Sequence, residues 1–382
     1  MANRYQHFIN KNCHPDRVDL ALSLAAQTVF LTSPNPHVGC VITSPGCEIL
    51  GQGRTQQAGG AHAETMALLD AAARGKSVRG GTAFVTLEPC SHFGRTPPCC
   101  DALINAKVAK VVATLADPNP LVAGRGFAAL RAAGIEVEVL PTTHPNAIAS
   151  RELNIGFFSR MIRKTPWVRM KIAASLDGTT ALTNGQSQWI TSPEARTDGH
   201  AWRARACAVL TGIGTLLQDD PRLDVRLVET PRQPYRIIVD SLLQTPPGAN
   251  IFKAGGAVWI YCATRDAAKE AALVAMGATV SCLPDANGKV DLAAMMKDLA
   301  RREINELHVE AGSKLNGSLI RAGLVDEFLL YLAPKLLGPG SGMTNFGPLS
   351  ELSQAVPLEF KSTEMLGPDL RIVARIPGRD QF

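Results

Sequence analysis

Two series of alternating helical and extended segments run along the chain. In the first series, apolar residues at helical spacing predict helices over 16–31, 62–74, 99–106 and 126–133, and short apolar runs predict strands over 38–42, 49–53, 82–87, 110–115 and 135–140. The second series predicts strands over 168–174, 206–211, 236–240, 257–262, 279–283, 307–310, 327–332 and 370–374, with helices such as 292–301 between several of them. Such alternation is typical of α/β domains.

The length of the chain also favours two domains. Its 382 residues exceed the roughly 100–200 residues of an ordinary domain. A polar and then aromatic stretch separates the two series near residues 142–165. We therefore predict a first domain over 1–147, a connector over 148–165 and a second domain over 166–382.

Composition narrows the class of protein. Hydrophobic residues make up 46% and charged residues 19%, which is typical of soluble globular proteins and excludes disordered and fibrous classes. The formal net charge of +5 has no dense Lys/Arg block, so it suits anionic small molecules as well as nucleic acid. We expect no membrane span, because no run of 18 uncharged apolar residues occurs. The polar N-terminus and an odd count of nine cysteines favour a cytoplasmic protein whose Cys and His clusters serve metal binding or catalysis.

One cluster of motifs predicts a catalytic zinc site. His62-Ala63-Glu64 is followed by Pro89-Cys90 and then by Cys99, which is the order of residues in zinc nucleobase deaminases. The pattern departs from those enzymes in one respect, since eight residues rather than two separate the cysteines. We predict that His62, Cys90 and Cys99 bind zinc.

The residue types match hydrolytic deamination. Catalytic zinc takes three protein ligands and keeps a fourth position for water, whose proton Glu64 would accept and pass on to the substrate. His62 and Glu64 stand two apart and do not share a helix face, so they converge only if their helix directs its N-terminal end at the metal. The alternative is a closed structural zinc site with Cys100 or His92 as fourth ligand, in which Glu64 would have no function.

The second half carries weaker motifs. Gly212-Ile213-Gly214 follows a predicted strand but lacks the third glycine of a Rossmann fingerprint. The strand over 307–310 leads into a glycine-containing loop over 311–318 and then a short helix. Free amides at a helix N-terminus bind anions such as pyrophosphate, although an ordinary strand-to-helix turn would have the same composition.

Taken in order, longer motifs resemble one known family. They are the segments 33–41 (SPNPHVGCV), 86–99 (TLEPCSHFGRTPPC), 117–126 (DPNPLVAGRG), 171–178 (KIAASLDG), 187–191 (SQWIT), 219–223 (DDPRL) and 309–312 (VEAG). Together they resemble the bifunctional deaminase/reductase of riboflavin biosynthesis, in which the eight-residue interval between the cysteines is usual. The resemblance implies a cytidine-deaminase-like three-layer domain followed by a dihydrofolate-reductase-like domain.

For the first domain, the resemblance implies a phosphorylated pyrimidine as substrate. It would be a 2,5-diamino-6-(5-phosphoribosylamino)pyrimidinone, which is deaminated to the aminouracil. The residues expected to contact its ring, ribose and phosphate are Asn35, His92, Arg95, Asn119, Gly124 and Arg125. Each of them could instead be an ordinary turn or surface residue.

For the second domain, the resemblance implies NADPH-dependent reduction of the ribosyl group to ribityl. The cofactor contacts would be Ala173, Trp189, Thr215, Asp219, Ser241 and the loop of Gly312, Ser313, Lys314, Leu315, Asn316, Gly317 and Ser318. The substrate contacts would be Ser187, Arg203, Leu223, Arg226 and Glu310, with the two arginines suited to phosphate. Lys171 would polarise the reacting ribose as a catalytic residue, with Glu310 opposite it. Trp189 and Leu223 could equally be core residues.

Two other functions fit part of these observations. One is a working deaminase with a degenerate second domain. The other is a nucleic-acid base deaminase, although the chain lacks a basic stripe and an aromatic stacking run. We expect zinc and NADPH as cofactors, a small phosphorylated pyrimidine as ligand, a homo-oligomer, and neither nucleic acid nor membrane as a partner.

Overall fold

The computed structural model describes residues 14–93, 97–120 and 122–382. The chain divides into two compact units, Met1–Ile155 and Gly156–Phe382. This division falls within the segment 148–165 that the sequence suggested as a connector. That segment is largely helical, since it includes most of α5 (Pro145–Leu153) and all of α6 (Ile155–Arg163).

The first unit is built on a five-stranded sheet in the order β2-β1-β3-β4-β5. The hairpin pair is antiparallel and β1 also pairs antiparallel with β3, whereas β3, β4 and β5 are parallel. With α5, the elements of this unit are α1 (His14–Ala26), β1 (Gly39–Thr43), β2 (Ile49–Arg54), α2 (Ala63–Ala73), β3 (Thr82–Val85), α3 (Cys99–Asn105), β4 (Lys110–Ala113), α4 (Arg125–Ala132) and β5 (Glu136–Val139). Every helix and strand predicted for this region is present, and the bounds agree within two residues except that α1 ends at Ala26 rather than at residue 31.

Glycines in the hairpin allow helices to pack closely on both faces of this sheet. A Cβ on Gly39 would lie 1.9 Å from the carbonyl oxygen of Ala21 on α1. A Cβ on Gly51 would lie 2.2 Å from the carbonyl oxygen of Ala67 on α2. Gly51 pairs with Ile42, three residues from Gly39, so the two glycines face opposite sides of the sheet. Helices therefore cover both faces, which confirms the expected three-layer arrangement.

The second unit contains a nine-stranded sheet in the order β11-β10-β9-β8-β12-β6-β13-β16-β15. Its strands are β6 (Trp167–Ser175), β8 (Ala208–Gly212), β9 (Tyr235–Val239), β10 (Val258–Cys262), β11 (Ala278–Cys282), β12 (Glu306–Val309), β13 (Glu327–Ala333), β15 (Glu359–Leu366) and β16 (Asp369–Arg375). The small strands β7 (Thr179–Leu182) and β14 (Gly340–Gly342) form a separate ribbon. Its helices are α6, α7 (Pro193–Arg205), α8 (Ile213–Asp219), α9 (Ala267–Ala275), α10 (Leu292–Arg301) and α11 (Ser313–Arg321).

The order of strands in this sheet determines which residues meet. The seven strands from β11 to β13 are all parallel, whereas β16 and β15 are antiparallel to their neighbours. The chain reaches β12 only after completing β9, β10 and β11, and it then returns to lie between β8 and β6. The segments that follow β8 and β12 therefore leave the same edge of the sheet side by side, which is where α/β proteins bind ligands.

The sequence-based expectation for this unit missed three strands and was wrong about one loop. The pattern missed β7, β14 and β15, and β15 is exposed along nearly its whole length, so it has no alternation of buried and exposed positions. The predicted loop over 311–318 is also wrong, because α11 already begins at Ser313. In the part of the chain that the structure describes, no helix is long and apolar enough to cross a membrane.

Candidate active sites

Three predicted metal ligands meet in the first unit. His62 is the N-cap residue of α2, Cys99 is the first residue of α3, and Cys90 lies in the loop after β3. The Nδ1 atom of His62 lies 3.5 Å from the Sγ atom of Cys90 and 3.4 Å from that of Cys99. All three ligand atoms lie within 4.8 Å of one another. The N-terminal ends of two helices therefore converge on one point, as the spacing of His62 and Glu64 required.

Glu64 lies in the first turn of α2, and only 3% of its surface is exposed. Burial, together with the nearby charge of Cys90, raises the pKa of its carboxyl group to about 7. The charge of His62 and the hydrogen bond from Cys99 act in the opposite direction. A buried carboxyl group with such a pKa gives up and takes back protons near neutral pH, which suits a general acid/base.

The donor set of this cluster fits zinc. One imidazole nitrogen and two thiol sulfurs are the ligand types that zinc takes in deaminases, and three ligands leave one coordination position for water. The Sγ atom of Cys100 instead donates to the carbonyl oxygen of Pro89 at 3.2 Å. Neither Cys100 nor His92 belongs to the group of metal-binding side chains found among the described residues. This arrangement favours a catalytic site over a closed structural one.

Sequence reasoning missed Glu88, which organises the loop beside the metal cluster. Its buried carboxylate accepts hydrogen bonds from three backbone N–H groups: Asp117 at 3.1 Å, Gly124 at 2.9 Å and Phe127 at 3.1 Å. Gly126 lies in the first turn of α4, directly after this loop, and a Cβ there would lie 2.1 Å from the carbonyl oxygen of Pro89. The only signal in the sequence was the position of Glu88, two residues before a metal ligand.

Most of the predicted deaminase substrate contacts lie on loops of this unit. Asn119 and Gly124 lie on the loop that Glu88 holds, and Arg125 is the exposed first residue of α4. Asn35 is half-buried in the loop before β1, where its backbone N–H donates to Thr32. The Nδ1 atom of His92 is buried and has no hydrogen-bond partner within the described residues. Arg95 lies outside the described residues.

The second unit contains a cleft of about 650 Å³ at the carboxyl edge of its sheet. Eight of the predicted reductase residues line it: Lys171, Trp189, Arg203, Thr215, Asp219, Leu223, Arg226 and Glu310. Trp189 is 62% exposed and is covered by the guanidinium group of Arg196, so it is not a core residue. Leu223 is both buried and part of the cleft lining.

Glu310 is the centre of charge in this cleft. Both of its carboxylate oxygens accept from Arg203, one of them from Nη2 at 2.9 Å, and Lys171 Nζ lies 3.8 Å away. Burial alone would raise the pKa of Glu310, but the charges of Arg203 and Lys171 outweigh it and hold the pKa well below its usual range. Burial also lowers the pKa of Lys171. The structure thus places a carboxylate and a partly desolvated ammonium group together in the cleft.

A loop after α8 adds positive charge to the cleft. Arg222 and Arg226 both pair with the carboxylate of Asp224, at 2.7 and 2.8 Å. Sequence reasoning predicted Arg226 but missed Asp224, which is buried and orients both arginines. Two guanidinium groups held in this way form a site suited to a phosphate group.

Some of the predicted cofactor residues lie near the cleft, at the N-terminal ends of two helices. The helices α8 and α11 begin at Ile213 and Ser313, side by side, because β8 and β12 are neighbours. A Cβ on Gly312 would meet only the hydroxyl oxygen of Thr215, at 3.5 Å, so a ligand has room to approach this backbone. This glycine-flanked edge, with free helix amides and Trp189 in the cleft, fits a nicotinamide dinucleotide.

Other predicted residues lie away from the cleft lining. Within α11, Asn316 is buried with its amide donating to the carbonyl oxygen of Met343 at 3.1 Å, and a Cβ on Gly317 would lie 1.9 Å from the carbonyl oxygen of Asn345. Both residues therefore pack against the segment 343–346. The remaining ones are Ala173 in β6, Ser187 just before the cleft-lining Gln188, Ser241 after β9, and Ser313, Lys314, Leu315 and Ser318 in α11.

Comparison with known proteins places both units in one family. Residues 166–372 match the family model described as "RibD C-terminal domain", and residues 12–115 match "Cytidine and deoxycytidylate deaminase zinc-binding region". The riboflavin biosynthesis protein RibD of Escherichia coli is 45% identical over 92% of this chain and 96% of its own length. The RibD of Haemophilus influenzae is 41% identical over 92% of this chain and 94% of its own.

Solved structures agree with this result. Acinetobacter baumannii RibD superposes with a TM-score of 0.85 at 36% identity, covering 94% of this chain and 98% of its own. The diaminohydroxyphosphoribosylaminopyrimidine deaminase/5-amino-6-(5-phosphoribosylamino)uracil reductase of Thermotoga maritima superposes with a TM-score of 0.82 at 30% identity, covering 94% of this chain and 98% of its own. The chain therefore belongs to the RibD family of riboflavin biosynthesis proteins, with a zinc-dependent deaminase domain followed by a reductase domain, as its motifs predicted.

Proposed function

We propose that the two active sites catalyse consecutive steps on one phosphorylated pyrimidine. The first step is hydrolytic deamination of 2,5-diamino-6-(5-phosphoribosylamino)pyrimidin-4-one, and the second is NADPH-dependent reduction of its ribosyl group to ribityl. The observation that carries the proposal is the cluster of His62, Cys90 and Cys99 beside buried Glu64, in a chain that matches RibD proteins over nine-tenths of its length.

In the deaminase site, we assign the metal to His62, Cys90 and Cys99 and the proton transfers to Glu64. Zinc held by these three side chains would supply an activated water. The carboxylate of Glu64 would accept a proton from water and deliver it to the ring nitrogen of the substrate. It then moves a second proton to the departing amino group, so that water and an amine become a carbonyl and ammonia.

The loop held by Glu88 supplies the proposed substrate contacts of this site. Asn119, Gly124 and Arg125 lie on it or directly after it. Asn35, His92 and Arg95 complete the set that we assign to ring, ribose and phosphate. Because Glu88 fixes the backbone of Asp117, Gly124 and Phe127, the groups at both ends of this loop are positioned before substrate binds, which lowers the entropic cost of binding.

In the reductase site, we assign proton donation to Lys171 and orientation of Lys171 to Glu310. NADPH bound in the cleft would supply the hydride for reduction at C1′ of the opened ribosyl group. Lys171, whose pKa is lowered by burial, donates a hydrogen bond and then a proton to the ribose oxygen as the ring opens. The hydride at C1′ and the proton on the released ring oxygen are the two hydrogens that the product gains, and the nitrogen keeps the hydrogen that it already carried.

We assign ligand binding in this domain by position. Substrate would contact Ser187, Arg203, Leu223, Arg226 and Glu310. NADPH would contact Ala173, Trp189, Thr215, Asp219, Ser241 and the start of α11, from Gly312 through Ser318. Arg203 retains two of its five guanidinium N–H groups for a ligand, since three bond to Glu310 and to the carbonyl oxygen of Asp224.

Mass analysis of products tests the whole proposal. The zinc-loaded enzyme is incubated with the diaminopyrimidine, with and without NADPH. Without NADPH we expect only replacement of NH by O, and with NADPH the further addition of two hydrogens. Glu64→Gln should block the first change, yet still reduce aminouracil that is supplied directly. Failure to oxidise NADPH with that aminouracil would instead support a deaminase with a degenerate second domain.

We also propose that the enzyme is a homo-oligomer. The edge strand β15 pairs on one side only, with β16, and exposes Phe360 by 72% and Met365 by 61%. A long exposed edge with apolar residues favours pairing with the same strand of a second copy. Sedimentation velocity at micromolar concentration should show a dimer or larger assembly, which Phe360→Lys weakens. A monomeric wild-type enzyme would contradict this proposal.

A cytoplasmic location is proposed as well. The proposed zinc ligands Cys90 and Cys99 are free thiols. Thiols bind zinc only in the reduced state, which the cytoplasm maintains. Cell fractionation with a deaminase assay tests this assignment, and activity confined to an extracytoplasmic fraction would contradict it.

A further inference from the structure

The loop that carries Arg222 and Arg226 into the reductase cleft is held by side chains outside it. Arg203 Nη1 donates to the carbonyl oxygen of Asp224 at 2.9 Å. The side-chain amide of Gln233 bonds both the N–H group and the carbonyl oxygen of Val225, at 2.8 and 3.0 Å. Asp224 and Val225 are thus fixed through their backbone. The backbone of the next residue, Arg226, is fixed by a histidine.

That histidine is His200 on α7. Its Nδ1 atom accepts a hydrogen bond from the backbone N–H of Arg226 at 3.2 Å. The ring is 5% exposed and lines the cleft, one helical turn before Arg203. Because Nδ1 accepts from an N–H group, it carries a lone pair, and a neutral ring then has its proton on Nε2.

The surroundings keep this ring neutral. Burial, together with the charges of Arg203 and Arg226, lowers the pKa of His200 to about 4. The carboxylates of Glu310 and Asp224 act in the opposite direction but do not outweigh them. Protonation of Nδ1 would break the hydrogen bond to Arg226 and would place a positive charge beside those of Arg203 and Arg226. The bond therefore persists throughout the neutral pH range.

A histidine has a specific advantage at this position. The cleft is lined by five basic side chains, Lys171, Arg196, Arg203, Arg222 and Arg226, against the three carboxylates of Asp219, Asp220 and Glu310. The basic groups outnumber the acidic ones, so the cleft attracts an anion. An aspartate or glutamate in place of His200 would also accept from the backbone, but its charge would cancel part of that attraction. Lysine and arginine cannot accept at all. Neutral imidazole anchors the loop without reducing the positive potential.

We propose that His200 is a positioning residue for the phosphate group of the substrate, acting through the backbone of Arg226. Its Nδ1 atom fixes where the Arg226 guanidinium group stands and so determines the affinity for a phosphate monoester. The inference rests on the proposed function, since Arg226 is a proposed phosphate contact.

Two substitutions separate this role from simple packing. In His200→Asn, the side-chain oxygen is bonded to Cγ, as Nδ1 is in histidine, and it can still accept from the backbone N–H of Arg226. In His200→Gln, the polar atoms are one bond farther out, near the position of Nε2, and no acceptor remains on Cγ. With directly supplied aminouracil substrate, we expect His200→Gln to raise KM about tenfold, the equivalent of about one hydrogen bond, at nearly unchanged kcat. His200→Asn should restore KM to within about threefold of wild type.

Three controls make the outcome decisive. Dephosphorylated substrate should show no difference between His200→Gln and wild type. The dissociation constant of NADPH should be unchanged in both variants. Adding His200→Gln to Arg226→Ala should raise KM no further than Arg226→Ala alone. Equal KM values for the Asn and Gln variants, or additive effects in the double variant, would overturn the inference. An unaltered KM in Arg226→Ala would instead overturn the assignment of Arg226 as a phosphate contact, on which the inference rests.

A spectroscopic measurement on the wild-type enzyme covers the case in which a variant does not fold. Nitrogen-15 NMR of labelled histidines distinguishes the neutral Nε2–H tautomer from the Nδ1–H tautomer and from the cation. We expect His200 to be the neutral Nε2–H tautomer at pH 7, with and without substrate. The Nδ1–H tautomer or the cation would be incompatible with the bond to Arg226 and would refute the role.

Discussion

Replacing Glu88 by glutamine changes one oxygen of a buried carboxylate into an amide nitrogen. In the native protein, Oε2 accepts from Asp117 and Gly124, and Oε1 accepts from Phe127. The best orientation of the new side-chain amide would keep its oxygen toward the first two N–H groups, so its NH₂ group would face the N–H of Phe127. One charge-assisted bond is then replaced by two donors facing each other, and the other two bonds become neutral.

These contacts set the expected size of the effect. A hydrogen bond to a charged group contributes about 1.5–3 kcal/mol and a neutral one about 1 kcal/mol. Loss of one charged bond and weakening of two others is partly offset, because burying an amide costs less than burying a carboxylate. We expect Glu88→Gln to lower the free energy of unfolding of the deaminase domain by about 3 kcal/mol, which is about 10 °C in Tm for a unit of this size.

The functional consequence should appear in substrate binding rather than in metal binding. The loosened loop carries Asn119 and Gly124, so we expect KM of the deaminase reaction to rise about tenfold while zinc stays stoichiometric. Calorimetry, zinc analysis and steady-state kinetics measure the three quantities, and the reductase activity of the same sample serves as an internal control. The matched control is Glu136→Gln, because Glu136 is an exposed partner of Lys110 and should contribute less than about 1 kcal/mol. Unchanged Tm and KM in Glu88→Gln, or loss of activity that tracks loss of zinc, would refute the reasoning.

Three further predictions concern single positions. Glu64→Gln should lower deaminase kcat by at least about a hundredfold while zinc content and reductase activity are retained, and a deaminase rate near wild type would remove Glu64 from the mechanism. Gly317→Ala should destabilise the reductase domain by about 3 kcal/mol or more in denaturant unfolding, because the new Cβ would lie 1.9 Å from the carbonyl oxygen of Asn345; a native-like unfolding midpoint would contradict this. His200 has a pKa lowered from 6.5 to about 4, so its contribution to stability is complete above pH 6.5 and is lost as the pH falls toward 4. The stability advantage of wild type over His200→Asn should therefore shrink by up to about 3 kcal/mol between pH 7 and pH 4, and parallel pH profiles of unfolding would argue against it.

The metal site could be predicted from the sequence because its residues lie in short motifs at the starts of helices. His62 and Cys99 each stand at the start of a helix, and the helix periodicity and the prolines before Cys99 indicated both starts. Glu64 followed because a helix start brings residues two apart toward the same point. The family assignment, the fold class and both cofactors were predicted from the motifs and are confirmed by the comparisons.

Features that depend on contacts between distant parts of the chain could not be predicted from the sequence. Glu88 accepts hydrogen bonds from residues 29 to 39 positions away, and the sequence around Glu88 does not indicate which residues those are. The strand β15 is formed by backbone pairing with β16 rather than by burial of alternate side chains, so hydrophobic periodicity could not indicate it. The glycines near Ser313 suggested a loop, but Gly317 serves close packing of α11 against the segment 343–346.

The late return of β12 to the middle of the second sheet has a consequence for folding of the reductase domain. Lys171, Arg203 and Glu310 are brought together only when β12 enters between β8 and β6, after most of the domain has been synthesised. Until then, β8 and β6 each expose an unpaired edge, and such edges are prone to aggregation. A nascent chain that stops short of β12 therefore has no assembled reductase cleft, because Glu310 has not yet joined Lys171 and Arg203.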